Sequence, residues 1–291
     1  MSKLIAKDLK KSYGRRMVVK GISVYCEPGE ILGLLGRNGA GKTTTFQMIV
    51  GLVKSDSGSI HLGDLDITRT STHEKAIHGI TYLPQENSVF LKTSVERNIG
   101  MILENLKYSK KEKIQRTSEL LDELGLTSLA NQSAHSLSGG ERRRLEICRS
   151  LALNPKFLLL DEPFTGIDPI TIKELQKILT SLKHRGIGII ISDHNVRDTL
   201  KITDRAYIID EGSILIEGLP EVIAADSLTK EKFLGENFKL GREDQKEISQ
   251  ENIRDPKWES DEPQLSLFEE TTGPLESLPE KNKTEKSTPE E

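Results

Sequence analysis

Nine consecutive residues, Gly36-Arg37-Asn38-Gly39-Ala40-Gly41-Lys42-Thr43-Thr44, have the make-up of an anion cradle. Glycines at 36, 39 and 41 let the backbone curl until several N–H groups face one centre. Gly36, Gly41, Lys42 and Thr43 satisfy the phosphate-loop pattern G-x-x-x-x-G-K-[S/T]. Lys42 then reaches the β- and γ-phosphates, and the Thr43 hydroxyl is a hard oxygen donor suited to Mg²⁺. A nucleoside triphosphate is the ligand to explain.

Other groups suit hydrolysis of that ligand. Asp161 and Glu162 end the apolar run Phe157-Leu-Leu-Leu160. Asp161 fits the first or second sphere of Mg²⁺, and Glu162 fits a water that must be oriented and deprotonated for attack on the γ-phosphate. His194 follows the apolar strand pattern Gly186-Ile-Gly-Ile-Ile-Ile-Ser192, and Gln85 ends the strand pattern Gly79-Ile-Thr-Tyr-Leu-Pro84. Ligands of open α/β sheets collect at the carboxyl ends of strands, which favours function for both, although a lone histidine is more often structural. Ser138-Gly139-Gly140 opens a helix-patterned stretch, where it serves either as a second anion site or as an ordinary cap with Glu141 in the first turn. Tyr13 lies at a hairpin turn, where its ring either stacks on a base or packs locally.

The elements that must hold these groups follow from periodicity. Leu4 to Val24 alternates around Tyr13-Gly14, and Ser57 to Ile67 reads as a second hairpin, so a small antiparallel sheet is expected. Ile31 to Leu35 is the strand entering the phosphate loop, and Thr43 to Val53 the helix leaving it. Between Ser94 and Ala134 the pattern turns helical: Lys110 to Leu124 carries Ile114, Leu120, Leu121 and Leu124 on one side, and Gly125 stops it. Thr171 to His184 is a further helix, with Asp168 in the loop before it, and Ala206 to Gly218 closes the pattern as a hairpin on Glu211-Gly212.

Composition sets the frame. The 291 residues are 35% hydrophobic and 30% charged, enough for one large domain or two small ones. No run approaches the roughly 18 apolar residues of a membrane span, and no secretion-type apolar region leads the chain, so a cytoplasmic protein is expected. Cys26 and Cys148 are too few for a disulfide framework and read as core filler. The net charge of −4 divides unevenly: residues 241–291 carry 7 Lys/Arg against 15 Asp/Glu, net −8, and leave the first 240 residues at net +4. That last stretch, rich in Glu, Ser, Pro and Lys, is expected to be a disordered acidic tail.

Tyr13, the phosphate loop, Gln85, a helical insert, Leu137-Ser-Gly-Gly-Glu141, Asp161-Glu162, Asp168 and His194, in that order, resemble the nucleotide-binding subunits of ABC transporters across residues 1–240. Leu83-Pro-Gln-Glu-Asn-Ser-Val-Phe90, Asp161-Glu-Pro-Phe-Thr-Gly-Ile-Asp-Pro169, Ser192-Asp-His-Asn-Val-Arg197 and Phe233-Leu-Gly-Glu-Asn-Phe-Lys-Leu240 look most like the ATPases of lipopolysaccharide export systems. The ATPases of branched-chain amino acid importers share the generic motifs and are the alternative. Thr165 stands where the family more often has a small apolar residue, and the tail has no counterpart in the short family form.

The resemblance implies an α/β P-loop NTPase of ABC type, with a mixed central sheet, an antiparallel β subdomain and a helical subdomain inserted at about 94–155. It implies a head-to-tail homodimer in which each ATP lies between Gly36–Thr44 of one copy and Ser138–Gly140 of the other. Tyr13 would stack on adenine, Thr43, Gln85 and Asp161 would set Mg²⁺, Glu162 would activate water, and His194 would contact the γ-phosphate. The segment Glu86–Asn98 would line a groove for a helix of an integral membrane permease, with Phe90 and Leu91 as apolar contacts; local packing of these residues is the other reading. The protein would then sit peripherally on the inner face of the cell membrane.

A soluble nucleic-acid-linked ATPase of this family is the rival class. One uninterrupted cassette with no internal repeat argues against it, and no direct nucleic-acid contact is expected. In the tail, Gln264-Leu-Ser-Leu-Phe268 resembles the short peptide that docks onto the replication sliding clamp.

Overall fold

The computed structural model describes residues 2–235, 238 and 240. The expectations for 241–291, the Gln264–Phe268 peptide among them, lie outside the described residues. Alternation in the first stretch builds the hairpin of β1 (Leu4–Tyr13) and β2 (Arg16–Cys26), closed by the pair Tyr13 and Arg16. β3 (Ile31–Leu35) leads through the phosphate loop into α1 (Lys42–Ile49). The second hairpin, β4 (Ser57–Leu62) and β5 (Leu65–Asp66), pairs β4 antiparallel with β1, giving a four-stranded sheet of order β2-β1-β4-β5.

α2 (Thr72–Ile77), held by a Ser71/Glu74 capping box, precedes β6 (Ile80–Leu83). The helical stretch then forms α3 (Val95–Leu103), α4 (Lys110–Glu123) and α5 (Gly139–Leu151). Ser94 caps α3, Ser109 and Glu112 box the start of α4, and Gly125 follows α4 at φ 63°. The buried face of α4 is Thr117, Leu120 and Leu121, continued by Leu124. Ile114 is a correction to the sequence reading: it is 60% exposed. At about 100° per residue it falls at the edge of that face, near the start of the helix.

β7 (Phe157–Asp161), α6 (Pro169–His184), β8 (Gly188–Asp193), α7 (Val196–Leu200), β9 (Arg205–Asp210), β10 (Ser213–Gly218) and α8 (Pro220–Ala225) complete the regular elements used below. The second sheet has the order β10-β9-β3-β8-β7-β6; β10 pairs antiparallel with β9 and every other neighbour is parallel. β3, β7 and β8 are buried along their whole length, as two covered faces require.

Side chains alternate across that sheet. Leu158, Leu160, Ile189 and Ile191 pack with Leu145, Leu175 and Leu179 of the helical side. Phe157, Leu159 and Ile190 pack with Phe46 and Ile49 of α1 and with Val24 of the antiparallel sheet. Cys26 and Cys148 are fully buried, and burial raises both thiols above their usual range, so they act as core filler. Among the described residues no helix is long and apolar enough to cross a membrane.

Candidate functional site

The sheet order sets the four site-bearing strands side by side: β3 delivers the phosphate loop, β8 delivers His194, β7 delivers Asp161 and Glu162, and β6 delivers Gln85. All four are parallel, so their carboxyl ends open onto one edge. The loop backbone is fixed by close approach. A Cβ on Gly36 would meet the Ile209 carbonyl oxygen at 2.2 Å, and Gly212 N–H donates to the Ala40 carbonyl at 3.0 Å.

α1 begins at Gly41 with no side-chain cap and no acidic residue in its first turn. Its first N–H groups therefore stay available to an anion, with the positive end of the helix dipole behind them. Lys42 is 4% exposed, and its ammonium donates to the Gly36 carbonyl at 2.9 Å and the Arg37 carbonyl at 3.1 Å. Burial lowers the Lys42 pKa, against the opposing carboxylates of Glu162, Asp193 and Asp161. A bound phosphate, one more negative charge beside the ammonium, would favour its protonated form.

Asp161 is fully buried and its carboxylate accepts from Thr43 Oγ1 at 3.3 Å, from Tyr82 OH at 3.1 Å and from the Ser192 hydroxyl. Burial and the neighbouring Asp161 raise the Tyr82 phenol, so it stays a donor. Glu162 stands at φ 45°, a left-handed conformation that costs a non-glycine residue of order 1–3 kcal/mol. Its N–H donates to the Ser192 carbonyl at 2.8 Å. Its carboxyl oxygen Oε2 accepts from Gln85 Nε2 at 3.0 Å and from Thr165 Oγ1 at 3.1 Å, and His194 Nδ1 lies 3.2 Å from the same atom. A carboxylate only accepts, so the Gln85 amide nitrogen faces Glu162 and its oxygen is left for another ligand.

A cavity of about 260 Å³ joins these groups, lined by Val18, Asn38, Gly39, Gly41, Lys42, Thr43, Thr44, Gln85 and Glu162. A second, of about 500 Å³, shares Val18, Asn38 and Gly39 with it and extends over Arg16, Met17, Lys20, Arg37, Ala40, Asp210 and Glu211. Sequence reasoning missed Arg16 to Lys20; the one signal was the basic character of β2 beyond its turn. Tyr13 is 48% exposed beside Lys11 and lines neither cavity. Ser138, Gly139 and Gly140 line neither cavity. Ser138 and Glu141 form a full capping box on α5, so the ordinary cap is present. Gly139 is exposed, and the nearest atom a Cβ there would meet is the Gly166 carbonyl oxygen, at 4.0 Å.

An unforeseen network lies behind the site. Arg143 of α5 donates to the Pro84 carbonyl at 3.1 Å, to the Asp161 carbonyl at 3.1 Å and to Glu146 Oε2 at 2.9 Å. Glu146 Oε1 accepts from Ser88 N–H at 2.7 Å, and Arg149 donates to the Ser88 carbonyl. Asn98, fully buried, clamps the backbone of Phe90 through Phe90 N–H at 2.9 Å and the Phe90 carbonyl at 3.1 Å. The loop so held presents Phe90, 48% exposed, and Leu91, 38% exposed.

The ABC transporter family model matches residues 19–165. The lipopolysaccharide export system ATP-binding protein LptB of Acidithiobacillus ferridurans is 52% identical over 241 residues, 82% of this chain and 100% of that protein. LptB of Escherichia coli strain K12 is 47% identical over the same shares. The crystal structure of an ATP-binding cassette of an ABC transporter in its ADP conformation aligns with a TM-score of 0.73 at 27% identity, covering 81% of this chain and 100% of that one.

Proposed function

The chain belongs to the ABC transporter ATP-binding family, and from that premise we propose that it is the ATP-hydrolysing subunit of a lipopolysaccharide exporter. The observation that carries the chemistry is the convergence of Gln85 and His194 on Glu162 Oε2 beside Lys42 and the open N-terminus of α1. The cargo rests on the match to LptB over that protein's full length. Residues 1–240 form the ATPase domain, with the helical subdomain at about 94–155 inserted.

ATP lies along the two adjoining cavities, with its phosphates in the Gly36–Thr44 loop. Lys42 and the loop amides neutralise phosphate charge, and Tyr13 stacks on an adenine that projects past Arg16 and Met17. The Thr43 hydroxyl, the Asp161 carboxylate and the Gln85 amide oxygen are the hard-oxygen set that would hold Mg²⁺, and Thr43 and Asp161 already stand 3.3 Å apart. Among the described residues no three His, Cys, Asp or Glu side chains are grouped so as to hold a metal ion by themselves, so such an ion would depend on the nucleotide phosphates for further ligands. When bound it supplies charge neutralisation at the β- and γ-phosphates. Glu162 accepts the proton of the attacking water, and His194 keeps the carboxylate and the γ-phosphate in line.

Two copies pair head to tail, so that the open face of Ser138–Gly140 covers the partner's ATP. Closure moves the Glu86–Asn98 segment, whose Phe90 and Leu91 seat a helix of a membrane permease; the protein therefore works at the inner face of the cell membrane. In the full-length chain, Glu162→Gln should retain ATP binding and lose at least about 100-fold in turnover, the scale of general-base catalysis. Retained turnover would remove Glu162 as the base. Affinity purification from membranes tests the cargo: permeases of lipopolysaccharide export support it, amino acid permeases overturn it, and a soluble partner alone reopens the rival class.

A further inference from the structure

Thr165 belongs to the turn that follows the catalytic strand, and its hydroxyl does not face solvent alone. Its N–H donates to the Glu162 carbonyl at 3.3 Å and its Oγ1 returns to Glu162 Oε2 at 3.1 Å, so one residue grips both the backbone and the carboxylate of the residue three before it. We infer that Thr165 is a positioning residue for ATP hydrolysis, a hydroxyl donor that, together with Gln85 and the neighbouring His194, locks the Glu162 carboxylate with its Oε1 edge presented to the attacking water. This inference rests on the reading of Glu162 as the general base.

The geometry gives the sign of the effect. Gln85 Nε2, Thr165 Oγ1 and His194 Nδ1 all approach the same oxygen, Oε2. None of these contacts is to Oε1, so the oxygen that must take a proton from water is the one left uncommitted. A carboxylate is planar, and three partners on one oxygen fix the lone pairs of the other. Gln85 and His194 arrive from the ends of two other strands, β6 and β8. Both have second tasks when a nucleotide is bound, Gln85 toward the metal and His194 toward the γ-phosphate. Thr165 has no such task in the proposed chemistry: it sits in the same turn as Glu162 and, among the described residues, its hydroxyl hydrogen-bonds to that side chain alone. It can therefore hold the carboxylate through a turnover in which the other two partners are shared.

Thr165 is exposed at its side chain and its backbone bond is independent of the hydroxyl, so substitutions there should leave the fold intact. The test uses the full-length chain with Thr165→Val, which keeps shape and removes the donor, and Thr165→Ser, which keeps the donor. Steady-state ATPase kinetics should show kcat reduced about three- to tenfold in Thr165→Val, the scale of one ordinary intramolecular hydrogen bond. KM and the affinity for a fluorescent ATP analogue should be unchanged, and Thr165→Ser should restore kcat. Equal kcat in all three proteins overturns the inference, as does a rise in KM with unchanged kcat. Glu162→Gln run alongside separates the two readings: if it hydrolyses ATP at the wild-type rate, the base assignment falls first, whereas an inactive Glu162→Gln with an unaffected Thr165→Val removes Thr165 alone.

Discussion

Removing the Glu146 carboxylate should be among the costliest single changes in this protein. Glu146 is 1% exposed and lies 2.9 Å from Arg143, whose side chain is 8% exposed. At an effective dielectric of about 20, a pair at that distance attracts by about 6 kcal/mol before desolvation is subtracted. In Glu146→Ala the guanidinium stays buried with only the Pro84 and Asp161 carbonyls as partners, its Nε having none, and Ser88 N–H loses its acceptor. Stranding one charge of a buried pair costs about 3–5 kcal/mol. That is a large part of the roughly 5–15 kcal/mol that holds a domain together. Urea denaturation followed by far-ultraviolet circular dichroism measures it. Glu146→Gln, which keeps an acceptor for Ser88, should lose about 1.5–3 kcal/mol, and Arg143→Met/Glu146→Leu should recover most of the loss, since the pair is exchanged for packed apolar volume. A Glu146→Ala protein within about 1 kcal/mol of wild type would refute the reasoning, because the pair would then be solvated or dispensable.

The two signature glycines should separate cleanly. Gly140→Ala places a Cβ 2.2 Å from Thr171 Cγ2, and the Thr171 hydroxyl is tied to Asp168 at 2.6 Å, so it should destabilise by about 1–3 kcal/mol in a thermal or urea melt. Gly139→Ala meets no close atom and should melt like wild type yet lose ATPase activity, because its open face is where the partner's nucleotide is proposed to lie; full activity would argue against that packing. Lys75, 1% exposed, donates to the Ile49 carbonyl at the end of α1 at 2.8 Å, and burial lowers its pKa from 10.5 to about 8. Between pH 8 and 10.5 the unfolded chain holds a proton that the folded chain has released, so stability should rise with pH across that window. Relative to Lys75→Met the rise should be roughly 1–3 kcal/mol, and parallel pH–stability curves for the two proteins would exclude it.

How much of this was legible beforehand depended on whether a residue acts through its neighbours in the chain. The phosphate loop, the apolar strands ending in Asp161-Glu162 and in Asp193-His194, and the hairpin on Glu211-Gly212 are written in local spacing, and the structure has them where that spacing placed them. Arg143 and Glu146 were illegible because an i,i+3 charge pair on a helix reads as a solvated face. Only the contact of α5 with the ends of β6 and β7 buries it. Asn98 was hidden for the same reason, since its task is to hold a backbone eight residues earlier. Ile114 went wrong because periodicity assigns a face without saying how far a neighbouring helix extends along it. Thr165 read only as a departure from the family's small apolar residue, and the turn at Glu162 is what gives its hydroxyl something to hold.

The place of β3 between β8 and β9 also governs the birth of the protein. Ile31 pairs beside Ile189, and Leu32 beside Arg205. A ribosome adding about 5–20 residues per second needs roughly 10–30 s between making β3 and making its first partner. Throughout that interval a fully apolar strand has both edges unsatisfied, and the α1 and antiparallel-sheet residues that cover one of its faces cannot supply the missing backbone bonds. Nucleotide cannot rescue the nascent chain either, because Asp161, Glu162 and His194 have yet to join the loop. Long-range parallel pairing of this kind is slow to form. Yield in the cell should therefore respond to chaperone supply and to the rate of translation upstream of Gly188 more sharply than to changes in the finished active site.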